Sequence, residues 1–299
     1  MAGSRHIGTQ GARYTHYTHG QEPAVLASHG RRTAENSAAY LLPYLSPGMS
    51  VLDVGCGTGT ITLDLAEAVA PGDAEAFTSG KAVGIDASDE PLQIARENAA
   101  ARGDQRTQFQ RGNIMALDYE ASTFDVVHAH QVLQHLDDPV GALAEMIRVC
   151  KPGGLVAARD ADYGGMFWSP ELPQLAKWRE LYCKIARRNG GEPDAARFMR
   201  KWASEAVTRA GHSAGTAHPT SGSQITLSSS SWIYATFEAT AAWGQSQAAR
   251  VSGPSFRGQA TELGTTEAET DAIAESWRAW GESPDATFAI PHVELLIRV

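Results

Sequence analysis

From Val51 to Gly59 the chain reads Val-Leu-Asp-Val-Gly-Cys-Gly-Thr-Gly. A short apolar, β-branched run meets a glycine-dense turn. Behind it, Ile61, Leu65, Ala68 and Val69 recur at helical spacing. Glycines there permit positive φ and let a ligand approach the backbone. The free N–H groups and positive dipole end of the following helix suit an anionic group. Such a turn at the carboxyl end of a parallel strand binds a cofactor. Its glycines are Gly55, Gly57 and Gly59, and Thr60 stands where a dinucleotide fingerprint needs its last glycine. Asp53, ahead of the turn, suits a ligand with a positive amino group better than a pyrophosphate. A second acid, Asp86, ends the run Ala82–Ile85 and is followed by Ala87. There a carboxylate can accept both ribose hydroxyls of an adenosine; the plainer alternative is a cap for the helix entered at Ser88-Asp89. Gln110-Arg111-Gly112-Asn113-Ile114 then offers a side-chain amide for an adenine amine and an apolar neighbour for its face.

These residues need a scaffold of alternating strands and helices. Strand patterns fall at Met49–Val54, Ala82–Ile85, Thr107–Gln110, Phe124–Ala129 and Leu155–Ala158, and helical patterns at Thr33–Leu42, Thr60–Ala70, Pro91–Ala101 and Val140–Val149. Lys151-Pro152-Gly153-Gly154 reads as a turn, and Pro71–Lys81 as a surface loop that lengthens the gap between Asp53 and Asp86. The alternation implies right-handed βαβ crossovers and a mostly parallel sheet. Beyond Arg159 the character changes, for all seven tryptophans lie there. Helical patterns follow at Leu172–Arg188, Asp194–Ala210, Phe237–Val251 and Thr266–Trp280, with a strand at Gln224–Leu227 and a terminal strand from His292 to Val299.

Taken together, Asp53–Gly59, Asp86, Asn113-Ile114, Phe124–Pro139 and Arg148–Gly154 resemble the class I S-adenosylmethionine-dependent methyltransferases, in the branch typified by the ubiquinone and menaquinone C-methyltransferases. The resemblance covers about Thr33–Ala161, and more loosely the rest. It implies an α/β, Rossmann-like seven-stranded sheet of order 3-2-1-4-5-7-6, with only strand 7 antiparallel and supplied by the chain's end. It implies S-adenosylmethionine as cofactor, with Gly55, Gly57 and Thr58 about its methionine part, Asp86 on the ribose, Asn113 and Ile114 on the adenine, and His130 at the methionine end. Many relatives carry Asp where this chain has Asn113; both accept a hydrogen bond. Some O-methyltransferases place Glu at the positions of Gln131 and Gln134 to hold a metal. With Gln at both, no metal site is expected.

Residues 33–299 are expected to form one domain, with a core at 33–161 and helical cap elements at about 166–190 and 237–281. Residues 1–32 form an aromatic and cationic arm, whose Tyr17 and Arg32 are candidates to close over the cofactor, Arg reaching its carboxylate. Methyl transfer is an in-line displacement that rests on positioning, with a base needed only if the acceptor must lose a proton. His135, beyond the fourth strand, is the candidate base, with a pH limb expected near the imidazole value of about 6.5. Gln131, Asp162 and Tyr163 are candidate acceptor contacts. The tryptophan-rich cap points to a small apolar or aromatic acceptor.

The 299 residues carry a net charge of −9, which argues against a broad basic surface for nucleic acid or anionic membrane. With 42% hydrophobic residues the chain can build a core. Three cysteines do not make a disulfide framework. No secretory signal or spanning segment is evident, so a soluble cytoplasmic protein is expected. The competing readings are a nicotinamide-dependent oxidoreductase on a similar sheet and a catalytically silent cofactor-binding regulator.

Overall fold

The structure, a computed structural model, describes residues 32–71, 80–211 and 224–299. The expected arm at 1–31, with Tyr17, lies outside the described residues. The helix expected over Thr33–Leu42 is cut to one turn, α1 (Ala34–Ser37). Thr33 and Asn36 form a reciprocal capping box there, and Ala38 leaves the helix at φ −137°. Asn36 and Ser37 bond locally rather than propagate a helix.

Strands β1 (Ser50–Val54), β2 (Lys81–Asp86), β3 (Thr107–Arg111), β4 (Phe124–His130) and β5 (Cys150–Ala161) pair in parallel in the order β3-β2-β1-β4-β5. The Lys151–Gly154 segment, expected as a turn, lies within β5. Cys150 faces Phe124 and Leu155 faces Val126, so the segment bulges against β4. The last strand, β8 (Thr287–Arg298), runs antiparallel to β5. Two strands flank it: β6 (Phe167–Ser169) and β7 (Gln224–Tyr234). Ala289 faces Phe167 on one edge and Ile233 on the other, so β6 continues the edge used by β5 and β7 takes the opposite edge. The chain's end therefore inserts between β5 and β7, the order the resemblance implied, with β6 as an added short strand.

Helices α2 (Thr60–Val69) and α3 (Asp89–Ala101) pack on one face of the sheet with α1. Helices α4 (Pro139–Val149) and α6 (Met199–Arg209) cover the other. The remaining helices are α5 (Pro173–Arg188), α7 (Phe237–Ser252), α8 (Pro254–Glu262) and α9 (Glu267–Gly281). The sequence pattern missed α8. These four share a core with the start of β8, in which Trp178, Trp277 and Trp280 surround Phe288. Their exposures are 0–2%. No described helix is long and apolar enough to cross a membrane.

Candidate active site

The turn between β1 and α2 opens where the parallel strands end. Gly57 and Gly59 both have positive φ, +55° and +75°. A Cβ at Gly59 would lie 2.6 Å from Phe109 and 2.8 Å from Ala95, whereas one at Gly57 would meet nothing within 4 Å. Gly59 is thus a close-packing glycine, and Gly57 presents bare backbone to open space. Asp86, at the end of β2, reaches back to it: Oδ2 accepts from the Gly57 N–H and Oδ1 from the Ser88 N–H, each at 3.0 Å. Burial raises the Asp86 carboxyl, and these backbone N–H groups oppose the rise. A carboxylate has about four acceptor sites, so both oxygens keep capacity for a ligand. Ala87 is exposed beside it. Thr58 is buried, its carbonyl accepting from Asn98 at 2.9 Å. Asn113 Oδ1 accepts from the Met115 N–H at 2.9 Å, which orients the amide over the buried Ile114. The bare backbone at Gly57, the part-exposed carboxylate at Asp86 and the amide at Asn113 fit an adenosine-bearing cofactor.

Asp53 departs from expectation. It is 2% exposed, accepts from Thr62 Oγ1 at 2.5 Å and pairs with His128 Nδ1 at 2.7 Å. Its carboxylate ties β1 to β4 and α2 beneath the turn. Burial, then Asp53 and Asp86, hold the Cys56 thiol well above its usual range, so it stays protonated.

Next to this turn, a polar layer crosses β4, β5, β8 and β7. His130 is buried, and neither ring nitrogen has a partner among the described residues. Burial, followed by the Arg32 and Arg159 charges, holds it well below the usual imidazole range, so it is neutral. Gln131, at φ +54°, accepts from Arg32 at 2.8 Å and faces His292 Nε2 at 2.8 Å. His292 Nδ1 lies 2.9 Å from the Ile290 carbonyl. The network assigns the tautomer: Nδ1 donates to that carbonyl, and Nε2 accepts from the Gln131 amide. Trp232 sits 4.7 Å from His292 and 5.5 Å from His130, with the Arg32 and Arg159 guanidinium groups 5.4 and 5.0 Å from its ring centre. Arg159 donates to Ser230 and stands 3.7 Å from Glu294. Sequence reasoning missed Arg159, Trp232, His292 and Glu294. The signal was polar residues at alternate positions of otherwise apolar strands, Ala157-Arg159-Ala161 and His292-Glu294-Leu296.

His135 closes a short 3₁₀ turn after β4, its Nε2 at 3.2 Å from Gln134 Nε2. Burial, then the Arg32 and Arg250 charges, lowers it to about 3. The pH limb expected near 6.5 is therefore corrected: the imidazole is already neutral there. Asp162, expected at an acceptor, accepts from the Gly165 N–H at 2.9 Å and from Arg197 at 2.8 Å. It fastens the turn after β5 instead. Tyr163 is 7% exposed and stacks on Tyr182 at 4.3 Å. Asp160 is buried, accepting from the Gln134 N–H at 3.1 Å while Oδ2 has no partner among the described residues. Burial pushes its carboxyl up to about 7, against the lowering hydrogen bonds from Gln134 and Leu133.

Comparison with known proteins points the same way. A family described as a methyltransferase domain matches residues 45–209. An uncharacterized methyltransferase of Schizosaccharomyces pombe is 31% identical over 287 residues, 91% of this chain and 92% of that one. The demethylmenaquinone methyltransferase of Lactococcus lactis is 38% identical over 137 residues, 46% of this chain and 49% of that one. In fold, the chain is similar to the YcgJ protein of Bacillus subtilis, with TM-score 0.52 and 16% identity over 87% of this chain and 96% of that one. The chain belongs to the class I S-adenosylmethionine-dependent methyltransferases.

Proposed function

We propose that the protein methylates a small acceptor with an apolar or aromatic body, held between the ends of β4 and β5 and the helices α5, α7 and α9. The observation that carries this reading is the aromatic core shared by those helices and β8, which borders Tyr163. When bound, S-adenosylmethionine supplies an electrophilic methyl group on a sulfonium. Gly57, Asp86, Asn113 and Ile114 hold it, with Thr58 and Ala87 beside them. Arg32 and His130 stand at its methionine end. A neutral His130 adds no positive charge near a sulfonium, which low pKa favours. Tyr163 and Gln131 orient the acceptor, and His135 contributes as a neutral hydrogen-bonding group.

In the same reading, residues 166–190 and 237–281 cover the acceptor as part of a single domain. Supporting it, α7, α8 and α9 lie between β7 and β8 in sequence, and Trp243, Trp277 and Trp280 of α7 and α9 pack against Phe288 of β8. The test is transfer of radiolabelled methyl into a metabolite extract fractionated by polarity. Label in apolar or aromatic small molecules is expected. Label confined to strongly polar polyols or simple amines would overturn the acceptor class.

A further inference from the structure

Among the described residues only two arginines are more than nine-tenths buried, Arg159 and Arg250. Arg159 has Ser230 and Glu294. Arg250, 8% exposed on α7, makes no ion pair or side-chain hydrogen bond with any described residue, and its Nε is sealed from solvent without a partner among them. One turn earlier Gln247 is 1% exposed, with both amide atoms likewise unpartnered. Native cores pair such groups, and an unpaired buried cation is among the costliest. An unpaired guanidinium and an unpaired amide one helix turn apart describe a place completed by something that arrives.

We infer that Arg250, with Gln247 beside it, anchors a carboxylate group carried by the methyl acceptor. The inference rests on the methyl-transfer reading above and deepens it. The planar guanidinium fork matches a carboxylate with two parallel hydrogen bonds. Gln247 supplies a neutral donor and acceptor next to it. The location fits an acceptor: Val251, one turn on from Gln247 on the same face of α7, belongs to the same buried cluster as Tyr163 and Tyr182. The charge of Arg250 is also felt at both Tyr163 and His135. The cofactor has a carboxylate of its own, so the experiment separates the two sources.

The full chain, saturated with S-adenosylhomocysteine, is titrated calorimetrically with benzoate, 4-hydroxybenzoate and cinnamate, each against its uncharged amide. At least one carboxylate is expected to bind, its amide at least tenfold more weakly. Arg250→Gln should weaken the carboxylate at least tenfold and erase the preference, with Arg250→Lys restoring part of it. Affinity for S-adenosylhomocysteine should stay within twofold, and ligand-free Arg250→Gln should melt no lower than the parent, because no internal partner is lost. The inference is overturned if no carboxylate in the set binds, or if Arg250→Gln binds them as the parent does. A tenfold loss of S-adenosylhomocysteine affinity in that variant would assign the guanidinium to the cofactor instead, and a clearly lowered melting temperature would make it structural. Parent protein that fails to bind S-adenosylhomocysteine would instead sink the methyl-transfer reading itself.

Discussion

At the ends of β1, β2 and β3 the side chains of Asp53, Asp86 and Asn113 are held by partners within the fold. Asp86 holds Gly57 and Ser88, Asp53 holds Thr62 and His128, and Asn113 holds Met115. Between His130 and Trp277 paired groups such as Gln131 and Arg159 stand beside unpaired ones. His130, Asp160 Oδ2, Gln247, Arg250 Nε and the indole nitrogens of Trp178, Trp243 and Trp277 are buried without partners among the described residues. The first region is preorganised for a ligand whose shape is fixed. The second keeps hydrogen-bonding capacity that no described residue uses, at a stability cost.

The sharpest way to break this comparison is within the glycine turn. Gly59→Val sets a branched side chain against Phe109 and Ala95 at φ +75°. Overpacking and backbone strain together should cost about 3 kcal/mol or more, read by urea unfolding. Gly57→Ala has open space and should cost only about 1–2 kcal/mol for its left-handed backbone. It should nevertheless lower S-adenosylhomocysteine affinity at least tenfold, because its new methyl group occupies the face offered to the cofactor. Equal unfolding losses in the two variants would erase the division between packing and binding glycines.

Asp86→Ala comes next. Losing hydrogen bonds to a charged group costs about 1.5–3 kcal/mol, a tenfold to hundredfold drop in affinity by calorimetry. Unchanged affinity would leave Asp86 as a clamp on Gly57 and Ser88 alone.

The second region is probed through Asp160. Its folded carboxyl titrates at about 7 against an ordinary value of 3.8. The folded state therefore binds more protons than the unfolded state between those values, and stability falls as pH rises from about 4 to 7. Asp160→Asn, which keeps an acceptor for the Gln134 N–H, should remove that loss. The variant is expected to match the parent at pH 4 and melt at least about 2 °C higher at pH 8. An identical pH dependence in both proteins would mean that the carboxylate is stabilised in the fold.

Legibility in the sequence followed the same division. The glycine turn, the end of β2 and the terminal strand are legible because local chemistry dictates them: glycines for positive φ, an acid at a strand end, an apolar run after the last helix. The pairing of Asp53 with Thr62 and His128 is not legible, because those partners meet it only in the folded sheet. Nor is the pairing of Asp162 with Arg197, which lies 35 residues on. The polar layer of Arg159, Glu294, His292 and Trp232 requires β8 to be threaded between β5 and β7, and no local pattern reports that pairing. Helix α8 lacks a strong apolar stripe, burying only Phe256 and Ala260.

The smallest expected effect belongs to His135. A general base works best with a pKa near the working pH, and this imidazole lies at about 3, lowered by burial and by Arg32 and Arg250. At that value it is neutral from pH 5 to 9 and a weak base. Its Nε2 also faces the Gln134 amide, which occupies the lone pair a base would use. His135→Gln, which retains a neutral hydrogen-bonding group, should keep turnover within about tenfold of the parent, well short of the hundredfold or more a lost base produces, and should leave the pH–rate profile without a lost limb near 6.5. In stability the sign is set by the same shift. The unfolded imidazole protonates below about 6.5 and the folded one does not, so the residue costs stability as pH falls through 6.5 toward 3. His135→Gln should therefore soften acid unfolding in that window while changing little at pH 8. A hundredfold fall in single-turnover rate, together with loss of a limb near 6.5, would restore His135 as the base. It would also show that acceptor binding raises its pKa, which an arriving carboxylate could do.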